Sequence, residues 1–203
     1  MTSRALSKRT EIRLAGEGGQ GMILAGIILA EAAAIYDGKQ AVQTQSYGPE
    51  ARGGASKSEV VISDGEIDHP EVLAADAVVT LSQEACSKYA ASVRPGGLLI
   101  VDEEKVAYIP VAGAIKLPIT RLAYENTGKT ITANSVALGV LVGLTGVVSR
   151  QALEGCRRAC PEGDGGNEPQ GHCSWLCHGQ TGYRRAPEII SFVTVFLEKK
   201  GER

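Results

Sequence analysis

A chain of 203 residues, 43% hydrophobic and 22% charged, suits one domain with a sizeable core, alone or with an appendage. Its formal net charge of −2 supplies no pull toward nucleic acid. No apolar stretch of signal-peptide length precedes the first strand, and the longest apolar runs are broken by Gly, Glu or Asn, so no membrane span is expected. Five cysteines, an odd number, argue against a secreted disulfide scaffold, so a cytoplasmic protein is expected. With 25 glycines against two phenylalanines and one tryptophan, tight turns are many and Ala, Val, Ile and Leu must fill the core.

In chain order, TEIRLA (residues 10–15) alternates polar and apolar side chains and predicts a strand. The run GEGGQG (16–21) follows, and then MILAGIILAEAAAIY (22–36), a helix apolar nearly all round and therefore buried against a sheet. Asp37-Gly38 terminates it. Residues 39–45 predict a second strand, 46–55 a glycine-rich loop, and 56–63 a third strand. After the connector 64–72, residues 76–81 form a short buried strand, and Ser82 caps a helix expected to run to Val93. Pro95-Gly96-Gly97 is read as a turn into the strand 98–103. Short strands at 107–111 and 114–117 precede helices at 119–126 and 134–144, the second capped by Asn134. Strands separated by helices indicate a three-layer α/β/α fold with a mostly parallel sheet.

A strand, a glycine-rich turn and a buried helix make an anion site, because the first turn of a helix leaves its N–H groups unpaired. Glycines let a phosphate approach that backbone without a Cβ in the way. The spacing Gly16-x-Gly18-x-x-Gly21 has the form of the dinucleotide fingerprint. The second strand, however, carries no acidic residue at its end. The glycines equally suit a helix packed tightly on its strand. In the second loop, Arg52 either clamps a phosphate or carboxylate or is a solvated turn residue. Asp68-His69-Pro70 is read as a surface turn, Cys86 as a small buried helix residue, and Lys57 and Lys88 as solvated. No catalytic set and no metal site is placed by the sequence.

The segments GEGGQGMILAGIILAEAA, AVQTQSYGPEARGGASKSEVVIS, IDHPEV, LSQEA and PGGLLIVD together resemble the gamma subunit of 2-oxoacid:ferredoxin oxidoreductases, equivalent to domain III of the fused enzymes. The resemblance covers about residues 11–153, and QSYGPEARGGASKSEVVIS points to the 2-oxoglutarate type. It implies oxidative decarboxylation of 2-oxoglutarate or a related 2-oxoacid to an acyl-CoA, with reduction of ferredoxin. Thiamine diphosphate, Mg and iron–sulfur clusters would lie in alpha, beta or delta partner subunits, and ferredoxin would be reached through the complex. This chain would bind no cofactor alone and would share CoA at a subunit interface. On that implication Gly18, Gly19, Gln20 and Gly21 are assigned to phosphate or carbonyl contacts, with Ser46, Tyr47, Arg52 and Gly53 on the facing wall. A purely architectural subunit and an independent Rossmann-like nucleotide-binding oxidoreductase are the competing expectations.

The domain is expected to span 10–153, with 154–203 an atypical tail. Hydrophobic periodicity ends near Glu154, and Cys156-x3-Cys160 and Cys173-x3-Cys177, with His172 and His178, mimic a metal site without its usual CxxC knuckles. Relatives continue after this point with a string like PKGTEEMN. Suitable codons for PEGDGGNEPQ, read one base later, give PKGTEEMNRK. The tail is therefore read as the product of a one-base frameshift near Glu154, or as a disordered segment if it is genuine.

Overall fold

The computed structural model describes residues 9–47 and 54–158, the last two by their backbone alone. β1 (Arg9–Glu17) leads through the glycine loop into α1 (Met22–Glu31), which ends in a π-helical turn, Ala32–Tyr36. β2 (Gln40–Ser46), β3 (Ala55–Ser63) and β4 (Ala75–Thr80) follow, then α2 (Gln83–Tyr89) and β5 (Val93–Asp102). β6 (Ile115–Leu117), α3 (Ile119–Thr127), α4 (Ala133–Thr145) and α5 (Arg150–Arg158) complete the described residues.

The sheet order is β2-β3-β1-β4-β5-β6. β4 lies parallel to β1, β5 to β4 and β6 to β5, whereas β3 runs antiparallel to both β1 and β2. Five of the six strands therefore point the same way, and the sheet is mostly parallel as expected. Alternation along β1 sends Ile12 and Leu14 to one face and Arg13 and Ala15 to the other. The first face joins Val60, Ile62, Val79 and Ile100 to Met22, Leu29, Val136 and Leu141 of α1 and α4, with α3 and α5 alongside. Each such large side chain contributes about 1.5–3 kcal/mol by leaving water. The second face carries Val61, Val78, Leu99 and Val101, covered by Cys86 and Ala90 and by Val72 and Val106 from irregular segments.

Four expectations need correction. Pro95, Gly96 and Gly97 do not turn the chain before a strand: they form a bulge inside β5. Ala75 pairs with Val93 but Ala77 with Leu98, and Gly96 takes φ 79° to absorb the extra residues. α2 is capped by Ser82, whose Oγ accepts from Ala85 N–H, but ends at Tyr89, followed by a 3-10 turn over Ala90–Ser92. Residues 107–111 form no strand, because Gln83 Oε1 takes the N–H groups of both Ala107 and Tyr108 at 2.9 Å. The cap residue of α4 is Thr132, and Asn134 lies within its first turn.

At the C-terminal end, Ser149 Oγ and N–H bond to the Asp37 carboxylate while Ser149 Oγ accepts from Ala152 N–H. This ties the end of the α1 region to the start of α5. The helix then continues past Glu154 to Arg158, with Cys156 buried and donating to Glu31 Oε2. Cys160, Cys173, Cys177, His172 and His178 lie outside the described residues. Among the described residues no cluster of His, Cys, Asp or Glu could hold a metal ion, and no helix is long and apolar enough to cross a membrane.

Candidate functional site

The carboxyl ends of β1, β2 and β4 and the start of β3 meet at one edge of the sheet. Gly16 faces Ser56, Glu17 faces Ala55, and Ser46 faces Lys57. The glycine loop rises from β1 at this edge. Gly19 and Gly21 hold φ 92° and 72°, left-handed values that a side chain would strain. Gly21 is the cap residue of α1, and its carbonyl accepts the first helical bond from Ala25 N–H at 3.0 Å. Among the described residues the N–H groups of Gly18, Gly19 and Gly21 have no hydrogen-bond acceptor. Gly18 and Gly19 are exposed, and a Cβ at Gly18 would project into open space. Free N–H groups at the positive end of a helix favour an anion.

Gln20 has a different place from the one its position in the motif suggests. Its Oε1 accepts from Glu17 N–H at 2.7 Å and its Nε2 donates to Leu81 O at 3.1 Å, while its own N–H bonds to Glu17 O. The side chain folds back beneath the loop and fastens it to the end of β4. A Cβ on Gly16 would stand 2.5 Å from Gln20 Oε1 and 3.0 Å from Met22 Cγ, so Gly16 leaves the room that this clasp occupies.

Asn134 is a residue of the site that sequence reasoning missed. It is fully buried in the first turn of α4, and its Nδ2 donates to Gly21 O at 3.1 Å. Its Oδ1 accepts from Ser135 N–H at 2.8 Å. The one signal available was a polar amide inside an otherwise apolar helix, which must find partners when buried. Glu84 was also missed: its Oε1 accepts from Ala55 N–H at 3.0 Å and fixes the start of β3 against α2.

Ser46 and Tyr47 stand at the end of β2, both exposed, with Ser46 Oγ donating to Tyr47 O at 3.5 Å. β3 separates them from β1, so they lie about 10 Å across the sheet from the base of the glycine loop, two strand spacings away. They flank the loop and do not touch it through any hydrogen bond among the described residues. Arg52 and Gly53 lie outside the described residues.

Elsewhere, Asp68 and His69 are exposed in the connector, His69 Nε2 3.6 Å from Glu71. Cys86 is fully buried, and burial pushes its thiol up, with the Thr80 hydroxyl partly opposing the shift. Lys88 is exposed, but Lys57 is not a solvated cation: its Nζ is 3.0 Å from Glu59 and its side chain only 26% exposed. The topology also departs from a dinucleotide-binding fold. There the strand after the first helix returns beside the first strand, whereas here antiparallel β3 stands between β1 and β2.

The family model for pyruvate ferredoxin/flavodoxin oxidoreductase matches residues 11–159. The 2-oxoglutarate synthase subunit KorC of Methanocaldococcus jannaschii is 54% identical over 158 residues, 76% of this chain and 84% of that protein. A solved gamma subunit of keto/oxoacid ferredoxin oxidoreductase from Geobacter sulfurreducens is 45% identical, with TM-score 0.71 over 92% of this chain and 99% of that one. The 2-oxoglutarate:ferredoxin oxidoreductase of Magnetococcus marinus shares the fold, with TM-score 0.74 at 21% identity over 95% of this chain and 31% of its own.

Proposed function

The chain belongs to the pyruvate ferredoxin/flavodoxin oxidoreductase family, and from that premise we propose that it is the gamma subunit of a multi-subunit 2-oxoglutarate:ferredoxin oxidoreductase. The observation that carries this reading is the 54% identity to a 2-oxoglutarate synthase subunit across most of that protein's length. The complex would convert a 2-oxoacid and CoA to an acyl-CoA and carbon dioxide, two electrons passing to ferredoxin. The subunit is inactive alone in this reading, in the cytoplasm, with alpha and beta partners holding thiamine diphosphate and Mg, and iron–sulfur clusters in beta or in a delta subunit.

This chain contributes part of the CoA site and a docking surface. CoA carries phosphates, and the N–H groups of Gly18, Gly19 and Gly21 at the start of α1, unpaired among the described residues, offer what a phosphate oxygen accepts. The role of Gln20 is to shape the loop, since both ends of its amide are already engaged. In this reading Ser46 and Tyr47 belong to the facing wall, and Arg52 and Gly53, outside the described residues, are assigned to it from the sequence, Arg52 to supply a guanidinium for a second phosphate.

The test is capture of the protein from native extract with an antibody to residues 11–153, followed by mass spectrometry of everything retained. Alpha- and beta-type oxidoreductase subunits should co-elute. A chain recovered alone would sink the subunit reading. Peptides beyond Glu154 in the same experiment report which reading frame the cell uses: peptides of this tail would exclude a sequencing error, and a clean frame on resequencing the DNA around Glu154 would end the frameshift reading.

A further inference from the structure

We propose that Asn134 is a positioning residue for CoA, acting through Gly21 to aim the N–H groups of the glycine loop; this deepens the reading above and rests on it. Asn134 is completely buried in an apolar helix. An amide is costly to bury there, and alanine would suit the helix better. Its place is explained by what it holds. Oδ1 anchors the side chain on Ser135 N–H at 2.8 Å, and Nδ2 then reaches Gly21 O at 3.1 Å.

Gly21 O does not need this bond to start α1, because Ala25 N–H already provides the helical one at 3.0 Å. The second donor fixes the plane of the Gly21–Met22 peptide. In a trans peptide the C=O and the N–H point in opposite directions. Pulling Gly21 O toward Asn134 and Ala25 therefore turns Met22 N–H outward, beside the N–H groups of Gly18, Gly19 and Gly21. Asn134 also packs on the Gly21 Cα, with its Cγ 3.1 Å from where a Cβ would stand. Gly21 takes φ 72°, the value at which the loop turns into the helix, and its lack of a Cβ leaves the room that Asn134 occupies. Gln20 secures the other end of the loop through Leu81 O. Asn134 thus fixes the end from which the helix dipole emerges.

The experiment measures acyl-CoA formation by the assembled complex carrying either Asn134→Ser or Gly18→Ala in this chain. Serine is too short to reach Gly21 O, and alanine at Gly18 meets nothing in the protein but fills the space above the loop. Both variants should raise KM for CoA, Asn134→Ser by about fivefold, one net hydrogen bond's worth. Neither should change kcat or KM for the 2-oxoacid more than about twofold, a split that a general loss of packing would not give. If Gly18→Ala raises KM for CoA while Asn134→Ser leaves it unchanged, the positioning role is overturned and the CoA site stands. If neither raises it, the CoA reading fails and takes this proposal with it. A rise in Asn134→Ser alone, or a joint fall in kcat and rise in both KM values, shows that Asn134 acts other than through the loop and overturns the proposal. Should the serine variant not assemble, Asn134→Leu replaces it under the same criteria, nearly keeping the side-chain volume and removing the donor to Gly21 O without adding a charge beside the anion site.

Discussion

On one face of the sheet, α1, α3, α4 and α5 cover a surface made of Ile12, Leu14, Val60, Ile62, Val79 and Ile100. On the other, α2 and two irregular segments cover a surface interrupted by charge. There Arg13 bonds through Nε and Nη2 to Glu59 Oε1, and through Nη2 to Val72 O at 3.0 Å, with both ionic side chains about nine-tenths buried. Lys57 reaches the other Glu59 oxygen, and Arg13, Lys57 and Lys88 all lie within 6.0 Å of the Tyr89 ring centre. The difference teaches where each face gets its specificity. Helices offer side chains that fill an apolar surface, whereas an irregular segment brings bare carbonyls and N–H groups that must be paired. Arg13 and Glu11 supply those pairs, to Val72 O and to the N–H groups of Leu73 and Ala74.

The contrast breaks first at Glu59. Glu59→Ala leaves Arg13 buried without its partner and should cost about 3–5 kcal/mol in denaturant unfolding of the full chain. Replacing the pair together, Arg13→Met with Glu59→Leu, should recover most of that loss. A single substitution costing under about 1 kcal/mol would show that water reaches the pair and that the two faces are not so different.

The apolar face is sharpened at Gly26, where α1 lies so close to β3 that a Cβ would collide with Ser58 Oγ and come within 2.9 Å of Ser58 Cβ. Gly26→Ala gains helix propensity, yet overpacking should make it a net loss of about 1–3 kcal/mol. A raised melting temperature would mean that the helix can slide and that the face is looser than it looks.

The smallest effect belongs to Glu11. Burial raises its pKa, but the Arg9 guanidinium and the N–H groups of Ala74 and Leu73 outweigh it and hold the carboxyl below the usual glutamate value. A depressed folded pKa contributes stability above the unfolded value and loses it as pH falls through the folded one. Glu11→Gln should therefore cost on the order of 1 kcal/mol at neutral pH. The gap from the natural protein should close as pH drops below about 4. A gap that stays constant with pH would show that the charge contributes nothing.

Much of this architecture was legible because it is local. The alternation of TEIRLA gave β1 and its inward Ile12 and Leu14, the apolar run gave α1, and Asp37-Gly38 ended it near the right place. Ser82 was recognisable as a cap from its own chemistry. The errors fall where partners are distant. Pro95-Gly96-Gly97 has turn composition, yet Ala75 and Ala77 across the sheet make it a bulge. Lys57 is an exception: its partner Glu59 is two residues on in the same strand, and only Arg13 and Tyr89, which draw the pair under cover, are distant. Of the site, the glycine loop was readable from spacing. Gln20 was read as a contact residue because no local pattern shows its amide reaching Leu81 O. Asn134 was read as a cap for the same reason, its partner being a carbonyl in another element.

That last bond joins residues 113 positions apart in the chain. Closing so long a span costs entropy before any contact repays it. The glycines arrive among the first residues to be synthesised, but the conformation of their loop waits for a helix that emerges more than half a chain later. The site is in this sense a timestamp: only a domain that has finished folding carries it in its final form.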